Sequence, residues 1–208
     1  IPSHSRPDLL ARCLASLRRN APLSTEIIVV DDGSSDRTPE IALSQSATLI
    51  SLVRNQGKSA ALMAGVHAAK GEFILMLDAD LGESASEVTK LIHAYPVGQD
   101  ACVVALFPVI PGRGGGLGLA VRIARKGTSL LGGWKMKAPL SGQRLVRRDT
   151  LESILPLTYG FGLETAMNIR LGRAKTQLVE VQTQMDHRVT HCVQALQFRI
   201  ECGDPAVT

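Results

Sequence analysis

Phe73-Ile74-Leu75-Met76-Leu77-Asp78-Ala79-Asp80 is an unbroken apolar run that ends in two carboxylates one residue apart. A strand buried in a parallel sheet reads as such a run, and ligands of open α/β sheets sit beyond the carboxyl ends of the strands. Asp78 and Asp80 therefore stand where a ligand is expected. Hard divalent cations such as Mg²⁺ or Mn²⁺ take oxygen ligands, commonly one or two carboxylates plus the phosphates of a substrate. Taken alone, an Asp-x-Asp is just as well a helix N-cap beside a solvated turn residue, so the flanking segments have to decide.

Upstream, residues 26–30 form a short β-branched run that ends in Asp31-Asp32-Gly33-Ser34-Ser35-Asp36. Residues 48–53 read as a further strand, followed by the turn Asn55-Gln56-Gly57-Lys58. Between these strands lie helical patterns. One opens at Ser5-Arg6-Pro7-Asp8 and carries Leu9, Leu10, Cys13, Leu14 and Leu17; others cover 36–45, with Pro39 in the first turn, and 59–69. After the 73–77 strand, a helix over 86–95 and a strand over 101–106 continue the alternation, which predicts an α/β fold, a Rossmann-type and mostly parallel central sheet flanked by helices.

Beyond residue 107 the rhythm changes. A Pro/Gly loop over 108–118 leads to a basic helix over 119–131, a strand over 141–146, and a helix over 163–171 opened by Tyr159-Gly160-Phe161-Gly162. A last strand over 177–181 runs into Asp186-His187-Arg188. The chain divides into two halves of one domain, 1–107 with the regular alternation and 108–208 as a cap on it.

Composition bounds the function. Hydrophobic residues make up 45% and charged residues 20% of 208, the balance of a globular protein with an ordinary core. Aromatics are 3%, too few for a base-stacking surface, so nucleic acid is not an expected partner. From Ala101 to Arg148 there is no Asp or Glu, while Arg113, Arg122, Arg125, Lys126, Lys135, Lys137, Arg144, Arg147 and Arg148 all fall there. Such a segment suits an anionic partner, or is a solvated face neutralised from elsewhere in the fold. Cys13, Cys102, Cys192 and Cys202 lack Cys-x-x-Cys spacing and read as free thiols of a reducing, cytoplasmic compartment. No apolar run approaches a membrane span, and no signal-peptide pattern opens the chain.

Two nucleotide motifs are excluded. A phosphate-binding loop ending at Gly57-Lys58-Ser59 needs a glycine where Leu52 stands. The cluster Gly112, Gly114, Gly115, Gly116, Gly118 contains no Gly-x-Gly-x-x-Gly in any register. What remains are polar residues at three strand ends: Asp31 and Asp32, Asn55 and Lys58, Asp78 and Asp80. On parallel strands these gather at one edge, where carboxylates accept from base or ribose, an ammonium meets phosphate and a cation bridges a diphosphate.

In Val29-Val30-Asp31-Asp32-Gly33-Ser34-Ser35-Asp36, Arg54-Asn55-Gln56-Gly57-Lys58 and Asp78-Ala79-Asp80, residues 1–190 resemble the family-2 nucleotide-sugar glycosyltransferases of the GT-A fold. The resemblance implies that Asp31 and Asp32 hold nucleobase and ribose, that Pro2, Asn55 and Lys58 lie beside the nucleotide, and that the Asp-x-Asp holds Mg²⁺ or Mn²⁺ on the donor diphosphate. Asp80 is then the direct ligand and Asp78 serves the ribose or a metal-bound water. Pro139-Leu140-Ser141-Gly142-Gln143-Arg144, Tyr159-Gly160-Phe161-Gly162-Leu163-Glu164 and His187-Arg188 are similar to later motifs of glucosyl-3-phosphoglycerate synthases and related bacterial enzymes. By that likeness 1–107 is the nucleotide-sugar-binding half and 108–208 the acceptor-binding and metal-completing half, Glu164 faces the donor sugar, His187 completes the metal site, and Ser141 and Gly142 meet the acceptor, with UDP-glucose as expected donor. Arg113, in the glycine-rich 111–116 loop, is placed to approach an anionic acceptor, and a homodimer is the expected assembly.

Alternatives stay open on the residues themselves. His187 reads as well as a core or surface histidine, and Glu164 as a helix-start carboxylate. The family opens with a full first strand, whereas this chain starts at its last residues, so a truncation is expected; Gln143 stands where phosphoglycerate-specific relatives carry an acid. The acceptor is either a phosphorylated small molecule or a polyprenyl phosphate; for the latter, the 119–131 helix rests on a membrane surface rather than simply packing. The rival classes are a nucleotidyltransferase, whose glycine-rich loop is missing at His4-Ser5-Arg6, and an inactive nucleotide-sugar-binding module.

Overall fold

The computed structural model describes residues 1–108, 117–156 and 162–186. Every apolar run named above becomes a strand, and these strands sort into two ladders. β1 (Pro2–Ser3), β2 (Ile28–Asp31) and β3 (Thr48–Ser51) pair in parallel. β4 (Phe73–Met76), β5 (Ala101–Leu106), β6 (Arg144–Arg147) and β7 (Gln177–Gln182) pair in the order β4-β6-β5-β7. β5 and β7 are parallel, while β6 runs against both β4 and β5.

The α/β class, with helices flanking the strands, is thus as expected, and the elements differ in three respects. Pro2 has no N–H to give to a ladder, and among the described residues no ladder joins β1 to β4, so the single central sheet is two. Between β2 and β4 lies a cavity of about 450 Å³, lined by Ile28, Val30, Ala61, Ile74, Met76 and Leu145 among others, with little polar chemistry to offer. The strand expected over 141–146 is β6 at Arg144–Arg147, since Ser141 is spent on a turn to Ala138 O. The helix expected over 86–95 is α4 (Val88–His93), entered through a 3₁₀ segment, Ala79–Glu87, that is broken where Gly82 takes φ 53°.

Helices cover both faces. α1 (Pro7–Asn20) starts with Pro7 and Asp8 and ends with Arg18 and Arg19, charges that match the helix dipole at each end. Its buried stripe of Leu10, Cys13, Leu14 and Leu17 packs against Leu81 and Ala85 of the 3₁₀ segment and Val88 and Leu91 of α4. α2 (Thr38–Ser44) and α3 (Lys58–Ala68) flank the first ladder. In β5 successive residues serve opposite cores: Val103 and Ala105 join the α1 side, Cys102 and Val104 the side of α3, α6 (Arg148–Ser153) and α7 (Leu163–Arg173). α6 escaped the sequence reading because six residues carry too short a helical period.

Cys13 and Cys102 are buried free thiols, pushed up to about 12 and about 11 because burial disfavours the thiolate; Cys192 and Cys202 lie outside the described residues. α5 (Leu117–Gly132) crosses α7 so closely that a Cβ on Gly172 would sit 2.0 Å from Gly132 O. Trp134, just past the end of α5, donates its indole N–H to Thr176 O at 3.1 Å and closes that corner.

The acid-free segment does not form one cationic face. Arg144 is buried, donating to Ser141 O and to Asn168 Oδ1 at 2.8 Å, with Asn168 in turn donating to Pro139 O. Arg147 pairs with Glu72 and Asp149, and Arg148 approaches Glu152. Only Arg122, Arg125, Lys126, Lys135 and Lys137 remain exposed among its described cations.

Candidate active site

The first strand end is a turn built around two buried carboxylates. Asp32 accepts from Gln56 N–H at 2.7 Å and Gly57 N–H at 2.9 Å, one donor to each oxygen. Asp31 accepts more weakly, from Ser34 N–H at 3.3 Å on both oxygens. Gly33, at φ 70°, lies so close to the next turn that a Cβ would stand 2.5 Å from the backbone carbon of Arg54. Asp36 accepts from Thr38 N–H and its hydroxyl, starting α2. The acidic turn is thereby clamped onto the Asn55–Lys58 turn, and Asn55 Oδ1 accepts from Gly57 N–H at 3.0 Å.

That clamp aims Lys58, the first residue of α3, at the end of β4. Its Nζ lies 2.9 Å from Asp78 Oδ1, 3.1 Å from Asp78 Oδ2 and 3.3 Å from Glu164 Oε1. Burial opposes the ammonium charge, but Asp78 and Glu164 outweigh it and hold the group above its ordinary value. Asp78 Oδ2 also accepts from Gln143 Nε2 at 2.8 Å, which settles the orientation of that amide because its carbonyl could not face a carboxylate. Gln143 is fully buried, and neither its Oε1 nor the buried Ser141 Oγ finds a hydrogen-bond partner among the described residues.

Gly142 makes the approach possible: a Cβ there would lie 2.9 Å from Lys58 Nζ and 3.2 Å from Asp78 Oδ2. Pro2, Lys58, Asp78, Gly142, Leu163 and Glu164 line one small cavity of about 10 Å³, which holds about one water. The polar side chains converge here rather than in the larger apolar cavity between the ladders.

Asp80 stands apart. It lies in the first turn of the 3₁₀ segment and has Arg6 Nη1 3.5 Å from its Oδ2. Both Asp78 and Asp80 belong to the turn that follows β4, and their oxygens are the hard donors that Mg²⁺ or Mn²⁺ takes. Among the described residues no group of three or more His, Cys, Asp or Glu could hold a metal. Two carboxylates do fit a Mg²⁺-type site that draws its other ligands from substrate phosphate and water.

Of the residues expected from sequence, the structure brings Pro2, Lys58, Asp78, Gly142 and Glu164 together. Asp31 and Asp32 stand one turn away, committed to backbone donors, and Asn55 is exposed at that turn. Lys58 meets carboxylates where a phosphate was expected. His187 and Arg113 lie outside the described residues. Two participants went unassigned: Arg6, read only as a helix entry, and Gln143, noted only as a departure; nothing local in the sequence marks either as a carboxylate partner.

Comparison with known proteins supplies the relatives. A family model described as glycosyl transferase family 2 matches residues 1–155. Undecaprenyl-phosphate 4-deoxy-4-formamido-L-arabinose transferase of Pectobacterium carotovorum is 39% identical over 103 residues, 46% of this chain and 31% of that protein. Dolichyl-phosphate beta-glucosyltransferase of Mus musculus is 47% identical over 73 residues, 32% of this chain and 22% of that protein. The chain thus spans about a third or less of the length of these curated relatives. Glucosyl-3-phosphoglycerate synthase from Mycobacterium tuberculosis, solved with phosphoglyceric acid, superposes with a TM-score of 0.72 at 24% identity, over 94% of this chain and 74% of that one. The same enzyme with Mg²⁺ and uridine diphosphate gives 0.74 at 22%, over 93% and 72%. At that identity the likeness is one of fold.

Proposed function

The chain belongs to glycosyl transferase family 2, and from that premise we propose that it moves a hexosyl group, glucose, from a uridine diphosphate donor to a phosphate-bearing acceptor. The observation that carries this reading is the meeting of Lys58, Asp78 and Glu164 from three separate elements within 3.3 Å contacts at a strand end. An ammonium held by two carboxylates is a poised group: it has three donors, and an arriving diphosphate can replace one carboxylate without leaving the cation unpaired.

Asp80 and Asp78, with His187, would hold Mg²⁺ or Mn²⁺. When bound, such an ion neutralises charge on the departing diphosphate. The remaining work falls to this chain's side chains. Lys58 meets the diphosphate from the α3 side, while Glu164, released from Lys58, accepts from sugar hydroxyls. The clamp between Asp32 and the Gln56–Gly57 backbone holds the nucleotide side of the site. Gly142 keeps the floor low enough for the sugar to approach Asp78.

On the acceptor side, the named relatives act on undecaprenyl and dolichyl phosphates, and the solved neighbour binds phosphoglyceric acid. A phosphate is common to all three, and the acceptor proposed for this chain carries one. The test is calorimetry with a panel of nucleotide sugars and Mn²⁺ or Mg²⁺, followed by nucleotide release with 3-phosphoglycerate and with a short polyprenyl phosphate. UDP-glucose should bind in a metal-dependent way and Asp80→Ala should abolish that dependence; absence of any donor binding, or an unchanged Asp80→Ala, defeats the reading.

A further inference from the structure

α5 presents two opposite faces. Ala124, Thr128 and Gly132 are buried on one side, where Gly132 meets α7 at Ile169 and Gly172. On the other side Leu119, Ile123 and Leu130 are 67%, 62% and 85% exposed, at spacings that place them on one stripe. Arg122 and Lys126, both exposed, fall within the same stripe at i+3 and i+7 from Leu119. An isolated exposed leucine needs no explanation, but three in register with two cations form a patch.

The charged side chains on α5 and in the described stretch just after it are all cationic. Lys135 and Lys137 follow the helix and are exposed, and Arg125 donates to Lys137 O, which holds the 135–137 turn against α5. Glu180, a carboxylate that reaches this turn, accepts from Lys137 and Ala138 N–H, so it is engaged by the backbone there. No acid occurs anywhere in the described stretch 117–148. No helix among the described residues is long and apolar enough to cross a membrane.

We propose that the outward face of α5, Leu119, Ile123 and Leu130 interleaved with Arg122 and Lys126, seats this protein on an anionic lipid bilayer, lying in the plane of the interface. Leucine and isoleucine enter the acyl boundary, while the arginine and lysine stems lie along the stripe and their heads reach lipid phosphate. A second copy is a poorer occupant: a two-fold contact sets the same patch against itself, and each Arg122 and Lys126 would face like charge with no acid in the described stretch 117–148 to answer it. Nucleic acid would use the cations and leave the aliphatic stripe in water. The proposal goes beyond the transferase reading. Because α5 packs on α7, whose first turn holds Glu164, a seated helix also fixes the distance from lipid surface to site.

The experiment is flotation of the full chain with phosphatidylcholine vesicles, with and without phosphatidylglycerol, at about 0.05 M and about 0.5 M salt. Binding is expected to the anionic vesicles at low salt, and to weaken at high salt. Arg122→Gln with Lys126→Gln should lower the partition coefficient about 25-fold, roughly fivefold for each cation. Leu119→Ser with Ile123→Ser should lose the binding that survives high salt. Calorimetry of UDP-glucose on the same variants separates the two readings: vesicle binding without donor binding sinks the transferase assignment alone, and donor binding without vesicle binding sinks this one alone. Equal binding by the variants, or a dimer in sedimentation velocity that Leu119→Ser and Ile123→Ser abolish, overturns the proposal in favour of non-specific adsorption or a second copy.

Discussion

Asp31 and Asp32 are adjacent and both buried, yet their hydrogen bonds predict unequal consequences for the same isosteric change. In Asp32→Asn the amide oxygen keeps one of the two backbone donors, Gln56 N–H or Gly57 N–H, and the new amino group faces the other. One charge-assisted bond becomes a neutral one, a loss of about 1 kcal/mol, and one backbone donor is left against another donor, about 1–3 kcal/mol if it stays dry. Gly57 is only partly buried and its N–H also reaches Asn55 Oδ1 at 3.0 Å, so that bond and water relieve part of the second term, and the sum comes to about 2 kcal/mol. For a chain of this length that lowers the melting temperature by about 4–8 °C. Asp31→Asn loses only the long 3.3 Å contacts to Ser34 N–H and should cost about 1 kcal/mol or less. Urea unfolding of the two variants beside the parent protein measures both. If Asp32→Asn falls within about 0.5 kcal/mol of the parent, or costs less than Asp31→Asn, the clamp between the two turns does not carry the weight given to it.

The α5–α7 crossing predicts opposite signs for two glycines. Gly172→Ala forces a Cβ against the Gly132 carbonyl and should destabilise by about 3 kcal/mol, whereas Gly127→Ala, with nothing within 4 Å, should stabilise by about 0.5–1 kcal/mol; denaturant midpoints decide it. Gly142→Ala pushes the flexible end of Lys58 and crowds the Asp78 carboxylate, both side-chain ends that can shift, so the fold should survive while kcat/KM for sugar transfer falls about tenfold or more; unchanged kinetics would show that the approach of Lys58 to Asp78 is immaterial. Folding raises Lys58 above its ordinary 10.5, so its contribution is full below that pH and fades as pH climbs past it toward the folded value. The difference in unfolding free energy between the parent and Lys58→Met should therefore be level from neutral pH to about 10 and narrow above it; a difference that already shrinks between about 7 and 9 contradicts the double carboxylate pairing.

Much of the architecture was legible because it is written in short-range periodicity. The 73–77 run, the 101–106 run and the Leu10-Cys13-Leu14-Leu17 stripe each satisfy one period and one length, and each became the element expected. Elements that depend on more than period were missed: the 3₁₀ entry to α4 turns on the positive φ of Gly82, and the direction of β6 on which strands it slots between. Charge was the least legible property. Arg144 and Arg122 look alike in an acid-free segment, yet one is in the core on backbone and amide oxygens and the other faces water.

The sequence by itself determined where polar groups end the strands, because an apolar run must stop where the chain leaves the core; Asp32 and Asp78 sit at such stops, and Lys58 opens the helix after the next one. It also determined that nothing there follows a phosphate-loop or dinucleotide fingerprint. Only the tertiary structure decided which of those groups face one another: Asp32 to the Gln56–Gly57 turn, Asp80 to Arg6, and Lys58 to Asp78 and Glu164 across a floor that Gly142 keeps clear. Pairings between residues so far apart in the chain follow from how helices and strands pack, and a charge takes its role from the partner packing brings to it rather than from its neighbours in sequence.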